Sequence, residues 1–265
     1  RVQEFVMSYA PNQFEGLKPD EVIEIIKASK LMGRGGAGFS TGLKWDFAKR
    51  AEGGEKFIIA NADEGEMGTF KDRYILQKDP FTLIEAMAIA AYAIGAAKGY
   101  VYLRGEYAYL RTALQDAIRA AKERQLLGDF DISVVLGAGA YVCGEETALM
   151  NSIEGKRGES RYKPPFPPQS GLWDSPTIIN NVETLMNIPA IVLNGPEWFT
   201  RLGTAGSKGT KVFSVSGDVA KPGVYELELG STLSELLTLA GAKMKEVKMV
   251  QVGGAAGRMI PGPAT

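Results

Sequence analysis

Three short apolar runs, at 57–60 (FIIA), 100–103 (YVYL) and 132–136 (ISVVL), alternate with stretches of helical periodicity, and two of them end in loops crowded with glycine or acid. Runs with so few polar positions suit strands buried on both faces, and helices must then cover those faces. The alternation predicts an α/β fold, a parallel sheet with helices packed on it. Pro19-Asp20 opens the first expected helix, with Val22, Ile25, Ile26 and Leu31 on one face and Gly33 as its stop. Further helices are expected over 43–51, 80–97, 106–125, from the pair Glu145-Glu146 to Ile153, and over 181–193. The segment 155–180 is rich in Pro, Gly and basic residues, and is expected to be a long functional loop without regular structure.

Near 203–209 the pattern changes. Alternating residues over 211–217 and 224–229 flank a Lys221-Pro-Gly turn and predict a hairpin. A helix capped by Ser231 and closed by Gly241 follows, then a strand over 247–252. This ββαβ order predicts a small α+β unit of ubiquitin-like type, so the expected division is 1–204 and 205–265. Residues 1–18 carry no clear pattern and are expected to run over the surface or against a partner.

Composition narrows the chemistry. With no histidine, neither Ser-His-Asp nor Cys-His catalysis is available within the chain. Cys143 is the only cysteine, so a thiolate or imidazole metal site, and a complete iron–sulfur site, are excluded within it. Lys+Arg 30 against Asp+Glu 31 implies no polybasic face for nucleic acid. No charge-free run is long enough to span a bilayer, so no direct membrane insertion is expected. One cysteine and no signal peptide predict a reducing, cytoplasmic setting.

Four stretches concentrate binding chemistry. In GRGGAGFSTGLKW (33–45), glycines leave backbone N–H groups free to face phosphate, with Arg34 and Lys44 bracketing them. The spacing is neither GxGxxG nor a Walker loop, and a plain surface loop is the competing reading. In ANADEGEMGTFKDR (60–73), Asn61, Asp63, Glu64 and Glu66 crowd the carboxyl end of a strand, where open α/β sheets place ligands. They suit ribityl or ribose hydroxyls and a flavin ring N–H; a solvated acidic loop remains the alternative. In GAGAYVCGEETAL (137–149), Glu145 and Glu146 either share a site, where one holds a proton or repels a reduced cofactor, or simply complement a helix dipole. Cys143 reads as a small buried apolar residue. Downstream, Phe166 in KPPFPP is either a ring-stacking platform or loop packing. In NNVETL (180–185), Asn180, Asn181 and Thr184 suit flavin or phosphate edges, or one Asn is an N-cap.

These stretches, with LRGEY (103–107) and KPPFPPQSGLW (163–173), resemble in order the NADH-binding flavoprotein (51 kDa) subunit of respiratory complex I. The same family includes diaphorase subunits of NAD-reducing or electron-bifurcating hydrogenases and formate dehydrogenases. The resemblance covers roughly 20–265 and implies a Rossmann-like flavin domain followed by an SLBB domain. It implies FMN contacts from Gly33, Arg34, Gly35, Gly36, Lys44, Asn61, Asp63, Glu64, Gly144, Glu145, Glu146, Asn180, Asn181 and Thr184. For NAD(H) it implies Phe39, Phe47 and Phe166 as ring contacts, with Glu66, Tyr141 and Lys163 as polar ones. The activity implied is hydride transfer between NAD(H) and FMN, with one-electron transfer onward. The implied partners are a thioredoxin-like [2Fe–2S] subunit and the iron–sulfur subunits of a hydrogenase, formate dehydrogenase or complex I. As a complex I subunit it is expected to be peripheral to the membrane. The family's [4Fe–4S] cysteines lie beyond the SLBB domain and are not among these 265 residues, and position 40 is Ser where the family pattern has Pro.

Overall fold

The computed structural model describes residues 16–262, so the expectation for 1–18 lies almost wholly outside the described residues. Helix α1 (Pro19–Ala28) opens with Pro19 at a position that needs no N–H donor, and the Glu21 carboxylate accepts from the Lys18 N–H at 2.6 Å. Its buried face is Val22, Ile23 and Ile26, with Ile25 packed partly buried against the same core. It also stops short of Gly33, because Lys30 takes a left-handed φ of 55°. Ser40 caps α2 (Thr41–Arg50) by accepting from the Leu43 N–H.

Strand β1 (Phe57–Ala62) leads to α3 (Lys71–Lys78), a helix that sequence periodicity does not reveal, and α4 (Pro80–Ile94). Then come β2 (Lys98–Leu103), a tight 3-10 turn at Gly105–Leu110, and α5 (Arg111–Glu123). Strand β3 (Asp131–Leu136) precedes α6 (Glu146–Ile153). The expectation that 155–180 holds no regular structure is overturned, since Thr177–Asn181 forms β4. Its apolar pair Ile178-Ile179 is short, and its flanking Pro and Asn residues read as loop. Helices α7 (Val182–Met186), α8 (Ile188–Asn194) and α9 (Pro196–Thr200) close the first unit.

The sheet order is β3-β2-β1-β4, all parallel, with Asn61 opposite both Tyr102 and Asn181. Alternation along β1 feeds two cores. Ile58, Ala60 and Ala62 join the large cluster under α1, α2, α4 and α5, while Phe57 and Ile59 join a smaller one with Tyr102, Cys143, Leu149 and Leu172. Each fully buried Ile or Leu contributes roughly 1.5–3 kcal/mol relative to exposure, so the double burial makes β1 the spine of the domain. Its carboxyl end, with that of β4, therefore has little freedom to move.

The second unit is ββαββ rather than ββαβ. It contains β5 (Thr210–Val215) paired antiparallel with β6 (Gly223–Glu228), helix α10 (Leu233–Leu239), and a second hairpin of β7 (Met249–Val252) and β8 (Arg258–Pro261). Thr232, not Ser231, caps α10, and the Glu235 carboxylate returns a bond to the Thr232 N–H at 2.6 Å. Its core is small, centred on Val215, Leu236 and Ala240.

Candidate functional site

The glycine loop is pinned at several points. The Gly33 N–H donates to the Phe39 carbonyl at 2.9 Å, folding the loop back on itself. The Arg34 N–H donates to Thr184 Oγ1 at 2.8 Å, and Thr184 is wholly buried at the start of α7. Gly35 sits so close to β4 that a Cβ would come within 2.9 Å of the Asn181 Cβ. Gly36, by contrast, takes a φ of 127° with nothing within 4 Å of where its Cβ would stand. One side of the loop is packed and the other is open.

Arg34 turns toward the second unit: Nη2 donates to the Lys208 carbonyl at 2.7 Å and Nη1 to the Met32 carbonyl at 3.3 Å. Its Nε is buried without a hydrogen-bond partner. Burial pushes the guanidinium down, and the Glu183 carboxylate opposes that. Lys44 lies away from the loop, donating to the Ile179 carbonyl at 3.0 Å with Glu146 at 3.6 Å.

At the end of β1, Asn61 Nδ2 donates to the Gly144 carbonyl at 3.0 Å while its Oδ1 accepts from the Asp63 N–H at 3.1 Å. Burial raises Asp63 to about 6, against the pull of Arg104. Glu64 is committed to the fold. It accepts from the Asp72 and Arg73 N–H groups at 2.9 and 3.2 Å, capping α3, and from the Tyr107 hydroxyl at 3.0 Å. Glu66 accepts from the Tyr141 hydroxyl at 2.7 Å and from the Ala255 N–H of the second unit at 2.9 Å.

The proton shared between Glu145 and Glu146 is not what the structure supports. Burial pushes Glu145 up, but Thr147, the Ala148 N–H and Lys163 outweigh it and hold the carboxyl at about 2. Glu145 is the N-cap of α6, and Lys163 Nζ lies 3.0 Å from both carboxylates, so Glu145 is stabilised in its charged form.

A cleft of about 1980 Å³ opens between the carboxyl ends of the strands and the second unit. Of the residues expected against FMN, it gathers Arg34, Gly35, Gly36, Asn61, Asp63, Glu64, Gly144, Glu145 and Asn181. Gly33, Lys44, Glu146, Asn180 and Thr184 are not on its wall. Asn180 is buried, its carboxamide oxygen accepting from the Trp45 indole at 3.0 Å. Of the expected NAD(H) contacts, Glu66 and Tyr141 line the cleft, whereas Phe39, Phe47, Lys163 and Phe166 do not. Those three phenylalanines are 48%, 51% and 53% exposed, so their rings are open to contact from outside. Phe166 is held by a turn in which its carbonyl accepts from the Gln169 and Ser170 N–H groups at 2.8 and 3.0 Å.

A buried charge cluster under the cleft is not foreseen from the sequence. Lys71 Nζ lies 2.8 Å from both Asp72 and Glu183, and Lys211 from β5 lies 2.5 Å from Glu183. Charges at the starts of helices read as solvated, whereas here tertiary packing buries Lys71, Asp72 and Glu183. The signal available was Glu183 inside an otherwise apolar and amide stretch, NNVETL.

A parallel α/β sheet with a glycine loop packed against the carboxyl end of β4, joined to a small ββαββ unit that shares its cleft, defines a two-part protein with a cleft of cofactor size. The chain belongs to the family of the Nuo51 FMN-binding domain, whose model matches residues 26–190, and an SLBB domain matches 212–261. It is 51% identical over 253 residues to the NAD-reducing hydrogenase HoxS subunit alpha of Cupriavidus necator, covering 92% of this chain and 42% of that one. It is 50% identical over 254 residues to a subunit of the NADH-quinone oxidoreductase of Rhizobium meliloti, covering 92% and 60%. The crystal structure of an NAD+-reducing [NiFe]-hydrogenase in the H2-reduced state superposes with a TM-score of 0.90 at 43% identity, covering 98% of this chain and 46% of that one. The chain thus spans about half the length of the relatives it matches.

Proposed function

We propose that this chain binds FMN in the cleft and oxidises or forms NADH there, as the diaphorase module of a multi-subunit electron-transfer enzyme. The observation that carries the reading is the glycine loop, pinned to Thr184 and packed on Asn181 while its open side lines the same cleft as Asn61, Asp63 and Glu145. The residues present fit an anionic flavin. Gly36 keeps clear the space a side chain would fill, and Arg34 Nε is a buried donor lacking a partner. FMN held there would supply the hydride-accepting and one-electron-donating chemistry.

In this reading Gly33, Arg34, Gly35 and Gly36 hold the phosphate end. Asn61 and Asp63 offer acceptors to ribityl hydroxyls and the ring N–H, with Gly144 and Glu145 beside them and Asn181 backing the glycine loop. Glu64, Asn180 and Thr184 act by holding those walls in place, and Lys44 by pairing with Glu146. Glu66 and Tyr141 present polar atoms to the nicotinamide nucleotide, with Lys163 beside the acid pair and Phe39, Phe47 and Phe166 supplying ring surface at the rim. Glu146, placed between two lysines, tunes the charge felt by the nucleotide. The flavin unit runs over 1–204 and the SLBB unit over 205–265 in the same proposal.

Onward transfer needs iron–sulfur centres whose ligands come from elsewhere. Cys143, the single cysteine, is buried, and a [4Fe–4S] cluster takes four ligands. We therefore assign the next steps to a [4Fe–4S] cluster ligated outside these residues. Beyond it lie a thioredoxin-like [2Fe–2S] subunit and the iron–sulfur subunits of a hydrogenase, formate dehydrogenase or complex I. Among the described residues no helix is long and apolar enough to cross a membrane, which is compatible with a cytoplasmic or membrane-peripheral complex. The test pairs ferricyanide reduction by NADH with iron content on one FMN-loaded sample of this chain. Turnover without iron is expected; absence of turnover, or stoichiometric iron, would contradict the proposal.

A further inference from the structure

We infer that the second domain completes the cofactor site, with Lys211 of β5 and Glu183 of α7 acting as a positioning pair that balances the buried charges holding Asn181 in the cleft wall. The inference rests on the reading of this cleft as an FMN site. Asn181 is gripped at both ends of its amide. Nδ2 donates to Asp72 at 2.7 Å, and Oδ1 accepts from the Glu183 N–H at 3.0 Å and from Lys71 Nζ at 3.3 Å. Those grips are charged and deeply buried, the side chains of Lys71, Asp72 and Glu183 being 8%, 4% and 3% exposed.

These three are one cation and two anions, with Glu64 acting on Lys71 and Asp72 and Arg34 on Glu183 from either side, and an uncompensated buried charge is costly unless paired. Lys211 supplies the missing positive charge, 2.5 Å from the Glu183 carboxylate, and the neighbouring Val212 N–H donates to the same group at 2.7 Å. The glycine loop and the acidic loop are tied to the same segment, since Arg34 donates to the Lys208 carbonyl and the Phe70 N–H donates to Ser214 Oγ at 2.9 Å. Residues 208–214 thus reach both the glycine loop and the Asn181 wall. The small domain acts on flavin affinity through charge balance and wall position without contributing a group that reacts.

The test is FMN titration of the full chain by flavin fluorescence, with Lys211→Met, Glu183→Gln, the double variant and Lys211→Arg. Lys211→Met leaves the cluster one charge negative and Glu183→Gln one charge positive. Each is expected to weaken FMN about tenfold, the scale of ordinary site-to-site coupling. The double variant restores neutrality and is expected to bind within about threefold of wild type, as is Lys211→Arg, which keeps the charge. A role in packing alone makes the double variant worse than either single one, and that result overturns the inference, as does unchanged FMN affinity in Lys211→Met. If a single variant does not fold, the double variant decides: near-wild-type binding supports the charge balance and lost binding rejects it. Failure of the wild-type chain itself to bind FMN rejects the underlying reading of the cleft and this inference with it.

Discussion

The backbone of the glycine loop and the phenylalanine rings proposed for the nucleotide are held in opposite ways. The loop is held by buried bonds to Thr184, by contact with Asn181 and by Arg34 reaching the Lys208 carbonyl. In the rim, Phe39, Phe47 and Phe166 are half exposed and sit on three separate segments, and the Tyr141 hydroxyl is held by Glu66. A wall organised before binding loses little entropy when a ligand arrives, whereas exposed side chains must be ordered by it. The difference suits a resident cofactor on one side and an exchanging substrate on the other.

The sharpest way to break the contrast is at Gly35. A Gly35→Val side chain cannot fit against Asn181, and FMN affinity is expected to fall by about a hundredfold, beyond the usual range for a surface change. Isothermal titration measures it; a loss below about threefold would mean the loop is not the rigid wall described. Next comes Thr184→Val, which orphans the buried Arg34 N–H. Destabilisation of about 1–3 kcal/mol is expected in denaturant unfolding, with weaker FMN binding. Unchanged stability would remove Thr184 as an anchor. On the rim, Phe166→Ala is expected to weaken NADH by about 1 kcal/mol, roughly fivefold, with FMN occupancy unaltered. Loss of flavin with normal NADH binding would reverse the assignment of the two sides.

The smallest effect concerns acid. Glu145 sits at about 2 in the fold against an ordinary 4.5, so its folded-state value is depressed. It therefore contributes stability that is present above pH 4.5 and lost as pH falls toward 2. Glu145→Gln is expected to flatten that part of the stability–pH curve. The change is modest because the side chain is one-third exposed and partly screened. A curve identical to wild type would show that its cap and Lys163 contacts are not formed in solution.

Much of this was readable from the residues. The runs at β1, β2 and β3 announce buried parallel strands, and the glycine loop and acidic loop follow at the ligand-binding edge. β4 was hidden because Thr177–Asn181 offers only two strongly apolar residues beside prolines, and its strand state comes from pairing with β1. α3 was hidden because KDRYILQK is polar on most of its surface and its N-terminus is capped from a distance by Glu64. At the site, spacing marks Asn61, Asp63 and Glu66 as candidates. It cannot tell that Glu64 and Asn180 are spent on the backbone of α3 and on Trp45, because both partnerships are tertiary. The Lys71–Asp72–Glu183–Lys211 cluster joins segments about 30 to 140 residues apart, and no local pattern carries it.

The most direct measurement is anaerobic spectroscopy of the FMN-reconstituted chain after gel filtration, with the flavin then released by acid and identified by chromatography. The expected result is FMN retained in about one-to-one ratio through filtration, its visible band bleached on adding NADH, and the nucleotide itself removable by dialysis. Recovery of FAD, loss of all flavin on filtration, or a retained flavin that NADH leaves oxidised would contradict the assignment of a resident flavin beside an exchanging nicotinamide.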